Sequence, residues 1–474
     1  QNKRNDNKSI ALFRLLANDK VVLKSIPKQL YGVDNKNAYH ALRKRLTDSL
    51  INFKAKSLLA KEVSEEMNVT KLFLVGKSLL QQQLFDQGLE LLLKAEKKAI
   101  EINSYALLNE VYHLMIGFQS EGSLDLDLLI VKSTSNLKVL EEEEKLNNTY
   151  AFMKAYYKDP NKRFYKKFDV LLEKLYSRFQ IADTIKYSYR TVYQLSQIAH
   201  SFAIATKDYF SIEDFVLKSY DKIKKLEVKN VNQSYYKLHI LYIIANIHFR
   251  KKNFDESISI VIEMDEVLAV DKKHKTYFLP LISCLRSLNL NYTNNYKEAK
   301  QELLPFFNEG SKYALPAILD IQLCLVVYDF QQGEFKGARK KLARFFHTDS
   351  WYEKQVGIEW VIKKSLVEIL TFIELDDFDY VSSRILNFER KFVSFLRETN
   401  KERVVVFLQF VKKIYLQGKD PKTEEFNRDL LTKFSWKSPI REDIFEMSFY
   451  AWLKAKIENE DIYETTLKLV QMKA

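Results

Sequence analysis

Few residues in this chain have the types and spacing that catalysis needs. The seven histidines stand at 40, 113, 200, 239, 248, 274 and 347. None belongs to a His-Glu-x-x-His motif, and none pairs at helical metal spacing. The nearest glycine pair, Gly333 and Gly337, lacks the Gly-Lys-Ser/Thr ending of a phosphate loop. Glu141–Glu144 is an acidic run without the Asp/Gly spacing of a calcium loop, and it reads as a solvated helix start or loop. The two cysteines, Cys284 and Cys324, lie 40 residues apart. Their expected role is as small core residues rather than a metal or redox pair. No serine sits in a nucleophile elbow. These absences predict a protein that is not an enzyme, carries no cofactor or metal, and works by binding.

The elements that would position binding residues follow from composition. Of 474 residues only 10 are Gly and 7 Pro, while 46% are hydrophobic and 13% aromatic. Most tight turns need Gly or Pro, so an all-β chain is a poor fit. Long helices joined by short polar turns fit better. Two cysteines make no disulfide framework, so the expected setting is reducing. No apolar run approaches the roughly 20 residues of a membrane span, and none near the start resembles a signal core. The expectation is a soluble, cytoplasmic protein without a membrane partner. Residue 1 is Gln, so removal of an upstream signal stays open.

Short segments recur along the chain. Asn253-Phe254-Asp255-Glu256-Ser257, Asn295-Tyr296-Lys297-Glu298-Ala299, Glu334-Phe335-Lys336-Gly337-Ala338 and Asp377-Phe378-Asp379-Tyr380-Val381 each place an aromatic after a polar residue. A small or modest apolar residue follows three positions later. The aromatics are 42, 39 and 43 residues apart. Phe85 with Gly88 fits the same pattern, and Tyr209 with Ile212 and Tyr165 with Phe168 are looser copies. A slot near Leu124 completes the series. Extrapolation predicts a degenerate copy near Asp420 and a last one at Ile462-Tyr463. Within one unit, Leu238, Leu241, Ile244, Ala245 and Phe249 form the apolar stripe of a first helix. Lys251-Lys252-Asn253 makes a turn, and Ser257, Ile258, Val261 and Ile262 belong to a second helix. Small residues such as Ala245 and Ser257 let the two helices approach closely. One hairpin cannot bury both faces, so neighbours must stack.

The arrangement resembles the tetratricopeptide repeat (TPR). Gly76, Phe85, Gly88 and Ala95 fall on its small and aromatic positions, as do Ala245, Phe254 and Ser257, and Ser287, Tyr296 and Ala299. The period is near 42 rather than the usual 34, and the motif's Trp and closing Pro are mostly missing. The resemblance spans 67–474. It implies an all-α, TPR-like solenoid, an α-α superhelix of about nine to ten helix hairpins. In such superhelices the first helices line the concave face. That implies a groove lined by Lys77, Gln81, Tyr157, Gln197, Tyr242, Asn246, Arg250 and Asn291. The charged members of this set, Lys77 and Arg250, are both basic, which suits a protein or an acidic or C-terminal peptide partner. The implied role is a protein–protein interaction scaffold or adaptor.

Residues 1–66 lack the repeat. They hold 14 basic and 7 acidic residues, a net of +7, out of +13 for the chain. A local excess of this kind attracts nucleic acid, anionic lipid or acidic protein, or simply solvates helix faces. Helices are expected over Ser9–Ala17 and Lys20–Leu30, with Pro27 limiting or bending the second. Asp34 or Asn35 is expected to cap a longer third helix with Tyr39, Leu42, Leu46, Leu50 and Phe53 on its apolar face. Two readings stay open. The segment caps the solenoid, or it is a helix-turn-helix unit that reads DNA through Lys36, Asn37, His40, Arg43, Lys44 and Arg45. With the latter, the protein is a regulator with a sensing solenoid. The whole chain also resembles bacterial proteins that carry a small helical region ahead of TPR-like repeats.

Overall fold

The turns set the repeat. The computed structural model describes residues 8–17, 25–61, 65–118, 124–156, 167–181, 187–206, 208–228, 231–307, 312–399, 401–434, 436 and 444–472. Among them are twenty-three α-helices and no strand. The chain divides into two compact units, 1–140 and 141–474.

In the first unit, α1 (Lys8–Leu16), α2 (Ile26–Tyr31) and α3 (Lys36–Lys61) share a small core of Leu12, Ile26, Tyr39 and Leu42. Pro27 opens α2 rather than limiting it, because a first-turn position needs no amide donor. Residues 18–24 lie outside the described residues. The apolar face of α3 is buried over its first turns only. Leu50 and Phe53 are 43% and 71% exposed, since α1 and α2 are too short to reach them. Next come α4 (Glu65–Gln81), α5 (Phe85–Glu101), α6 (Tyr105–Gly117) and α7 (Leu126–Tyr156), whose residues fall on both sides of the division.

The second unit continues with α8 (Phe168–Phe179), α9 (Tyr189–Thr206), α10 (Phe210–Asp221), α11 (Val231–Arg250), α12 (Phe254–Val270), α13 (Lys275–Tyr292), α14 (Tyr296–Phe307), α15 (Leu315–Gln331), α16 (Phe335–Leu342), α17 (Asp349–Val356), α18 (Ile358–Ile373), α19 (Phe378–Glu398), α20 (Glu402–Tyr415), α21 (Glu424–Lys433), α22 (Ile444–Glu458) and α23 (Ile462–Gln471). Phe85, Phe254, Tyr296, Phe335 and Phe378 each open a second helix, as the spacing predicts. Ile462 opens the last, and Tyr209 precedes α10 by one residue. Tyr165 lies outside the described residues. The slot near Asp420 is loop, and α21 starts later, capped by Thr423.

Two residues before each of those five aromatics the chain turns left-handed. The residues are Gln83, Lys252, Asn294, Gly333 and Asp376, with φ from 54° to 70°. This reversal lets the next amide reach back five residues. Leu84 N bonds Leu79 O at 3.0 Å, Asn253 N bonds His248 O at 2.9 Å, and Asn295 N bonds Leu290 O at 2.9 Å. These are Schellman closures, which satisfy carbonyls that a helix end leaves unpaired. The helices then cross at small residues. A Cβ on Gly88 would stand 2.7 Å from Leu80 Cγ and 3.1 Å from the Gly76 carbonyl oxygen. At the equivalent crossings Ser257 Oγ donates to the Ala245 carbonyl at 2.9 Å and Ser287 Oγ to the Ala299 carbonyl at 2.7 Å.

First helices α9, α11, α13, α15 and α18 pack each against the next. The C-terminal hairpin α22–α23 reaches the C-terminal ends of several of them. Tyr463 donates to the Asn291 carbonyl at 2.6 Å, Gln331 donates to Ser448 at 2.7 Å, and Trp452 donates to Glu374 at 2.6 Å. Glu141–Glu144 lies inside α7 rather than at a helix start. Glu143 is buried there and meets Arg190 at 3.1 Å, because α9 packs on that side.

Candidate partner-binding face

The side chains that the first helices turn away from their second helices form rows. On α11, Tyr235, His239, Tyr242, Asn246 and Arg250 are half-buried at steps of four, three, four and four. That spacing keeps them on one helical face. On α9 the same face carries Tyr193, Gln197 and His200, and on α13 it carries Tyr277, Leu281 and Cys284.

One row runs across the helices at the repeat period. Tyr150, Tyr193, Tyr235 and Tyr277 are 43, 42 and 42 residues apart, on α7, α9, α11 and α13. Ring centroids of Tyr193 and Tyr235 are 6.1 Å apart, and those of Tyr235 and Tyr277 are 6.2 Å apart. Asp320 and Lys363, on α15 and α18, lie further along the same face, near Tyr242 and Cys324 rather than in line with Tyr277. All six keep accessible surface, and Tyr277 is 44% exposed. His239 stands among the rings, edge-on to Tyr235 at 4.5 Å and to Phe278 at 4.8 Å.

The electrostatics mark this face as accessible but poorly solvated. Burial, with some repulsion from His274, lowers the His239 pKa to about 4. Burial also lowers His200 to about 4, with Arg250 adding to the effect. Asp320 reaches the surface, yet loss of solvent raises its carboxyl to about 6 against the pull of Lys363 and the Trp360 N–H. A carboxyl behaves this way when protein surrounds it on most sides. Burial raises the Tyr193, Tyr235, Tyr277 and Tyr242 phenols as well. At neutral pH the face therefore offers uncharged phenols and imidazoles, and a carboxylate beside an ammonium.

The expected groove residues fall in several places. Tyr242, Asn246, Arg250 and Gln197 lie on the α9–α11 part of this face, half-buried. Arg250 Nε donates to Asn246 Oδ1 at 3.1 Å, and its guanidinium stacks 4.5 Å over Tyr209. Asn291 is not on the accessible face. It is fully buried, donates to Gln331 at 3.0 Å and is covered by Tyr463. Lys77 and Gln81 are exposed on α4 of the first unit. Tyr157 lies outside the described residues. Lys36, Asn37, His40, Arg43, Lys44 and Arg45 are all exposed on α3. Sequence reasoning missed Tyr150, Tyr193, Tyr235, Tyr277, Asp320 and Lys363. The 42–43-residue recurrence of the four tyrosines is the signal that finds them, and nothing in the spacing marks Asp320 or Lys363.

The two thiols meet at this face, with Cys284 Sγ 3.9 Å from Cys324 Sγ. Cys324 is buried, and its pKa is raised, first by the bond to Cys284 and then by desolvation. No cluster of three or more His, Cys, Asp or Glu among the described residues could hold a metal. No described helix is long and apolar enough to cross a membrane. No family model matches the chain, and no curated protein or solved structure matches it either.

Proposed function

We propose that this protein is a non-catalytic scaffold or adaptor that binds an extended protein or peptide segment across its first helices. In this reading the hairpins of 141–474 wind as a TPR-like superhelix with α9, α11, α13, α15 and α18 on the concave side. The observation that carries it is the in-phase row of Tyr193, Tyr235 and Tyr277, with Tyr150 one repeat before it. Tyrosines give a partner large rigid contact area with a polar tip, and they are common binding hot spots. Steps of about 6 Å between rings are close to the length of two extended residues, so alternate side chains of a bound strand would meet successive rings. Asp320 and Lys363 offer opposite charges beside Tyr242 on the same face, so the partner need not be acidic throughout. The unbridged thiols suit a reducing, cytoplasmic setting.

Selection of a displayed random-peptide library against the whole chain tests this. The reading expects enriched peptides whose affinity falls roughly 30-fold for Tyr277→Ala, a hot-spot loss of about 2 kcal/mol. Lys218→Ala, on exposed α10, should leave affinity unchanged. No enrichment, or binding by Tyr277→Ala equal to the parent's, would overturn the assignment of the face.

A further inference from the structure

The three N-terminal helices carry a second surface that the first-helix row does not explain. The link from α2 to α3 is four residues long. Gly32 is left-handed in it, with φ 76°. Asn35 Oδ1 accepts from Ala38 N at 3.0 Å, and the Tyr31 hydroxyl donates to the Ala38 carbonyl at 3.0 Å. The turn therefore fixes the angle at which α3 leaves α2. Leu12, Ile26, Tyr39 and Leu42 form the core beneath, and so fix the rotation of α3 about its axis.

That rotation turns Lys36, Asn37, His40, Arg43 and Lys44 outward, and all five are exposed. No acidic residue lies between Lys36 and Lys44, and the acidic neighbour is exposed Asp34, whose Oδ2 stands 3.8 Å from Lys36 Nζ in a solvated pair that phosphate can displace. Arg45 sits about 200° round the helix from Arg43 and belongs to another face. Two helices joined by a short Gly-containing turn, the second outward-facing and basic, are the parts of a helix-turn-helix reader.

We propose that α2, its turn and the first turns of α3 bind duplex DNA, with α3 entering the major groove. Lys36 to Lys44 spans about 12 Å of helix axis, similar to the roughly 12 Å width of the major groove. Arg43, Lys36 and Lys44 supply cations for phosphate or guanine, and Asn37 has the amide that pairs with adenine. An anionic membrane is the poorer occupant. A helix lying on lipid inserts an apolar face alongside its basic one, but Tyr39 and Leu42, the apolar residues level with this basic stripe, are buried in the three-helix core, and the exposed Leu50, Ile51 and Phe53 lie beyond it.

Fluorescence anisotropy of a random-sequence duplex with the whole chain tests the proposal. Three phosphate contacts predict a salt slope of about −2.7, a loss of roughly 40-fold between 50 and 200 mM salt. The triple variant Lys36→Ala, Arg43→Ala, Lys44→Ala should abolish binding at low salt while circular dichroism stays helical. Removing exposed charge elsewhere, with Lys94→Ala and Lys97→Ala on α5, should leave most of the affinity. Four results would overturn the proposal. These are no DNA binding at low salt, equal binding by the triple variant, an equal loss in the α5 control, or binding to phosphatidylserine vesicles without binding to DNA.

Discussion

Three titratable side chains on the first-helix face pull stability in opposite directions with pH. His200 and His239 have folded pKa values of about 4, below the unfolded value near 6.5. The unfolded chain takes up their protons first. Their contribution is full above about pH 6.5 and is lost as pH falls toward 4, up to about 3 kcal/mol for each. Asp320 is the reverse. Its folded pKa of about 6 lies above the unfolded value near 3.9, so its contribution is full below about pH 4 and is lost as pH rises through 6. Urea denaturation should find Asp320→Asn at least as stable as the parent at pH 7.5, and His239→Gln less acid-sensitive. An Asp320→Asn variant less stable at pH 7.5 would mean the carboxylate is well solvated. Alkylation should label Cys284 well before Cys324, whose thiol is buried and reluctant to ionise. Little of this was legible in sequence, because solvation depends on what neighbouring helices bring. Asn291 shows the same limit. Its helical position places it in the groove, yet it is covered by Tyr463, 172 residues away.

At the scale of helices, legibility was greatest where one local feature decides the structure. Phe254, Tyr296 and Phe335 begin helices because a left-handed turn ends the helix before them, and Asn294 and Gly333 are natural occupants of such turns. Gln83 and Lys252 occupy the same positions without that preference, so there the aromatic spacing carried the signal. The crossings are equally local. Gly88→Leu should cost about 3 kcal/mol or more by overpacking, since even a Cβ collides with Leu80. Ser257→Ala removes its bond to the Ala245 carbonyl and leaves Asn289 Nδ2 one partner fewer, so about 1–2 kcal/mol is expected. Chemical denaturation measures both; a neutral Gly88→Leu would show that α4 and α5 can part. The spacing of Tyr39, Leu42, Leu46, Leu50 and Phe53 predicts one apolar face on α3, but period alone does not say how far a neighbour reaches.

At the scale of the whole chain, long-range closure takes over. The hairpin α22–α23 buries Trp452 completely and supplies Ser448 and Tyr463 to the ends of α13 and α15. Removing residues 444–472 strips these bonds from Gln331 and Asn291, where water can take their place, and exposes the apolar surface that the hairpin covers, which is the larger loss. Thermal melting of the truncated chain should show a clearly lower midpoint, and an unchanged midpoint would make the hairpin an appendage. The tyrosine row also belongs to this scale. Its members are separated by a full repeat, and within each helix the apolar stripe masks them. Hydrogen exchange of the whole chain with its tightest selected peptide tests the row most directly. Protection of α9, α11 and α13 around Tyr193, Tyr235 and Tyr277 is the predicted result, and protection confined to the second helices α10, α12 and α14 would contradict it.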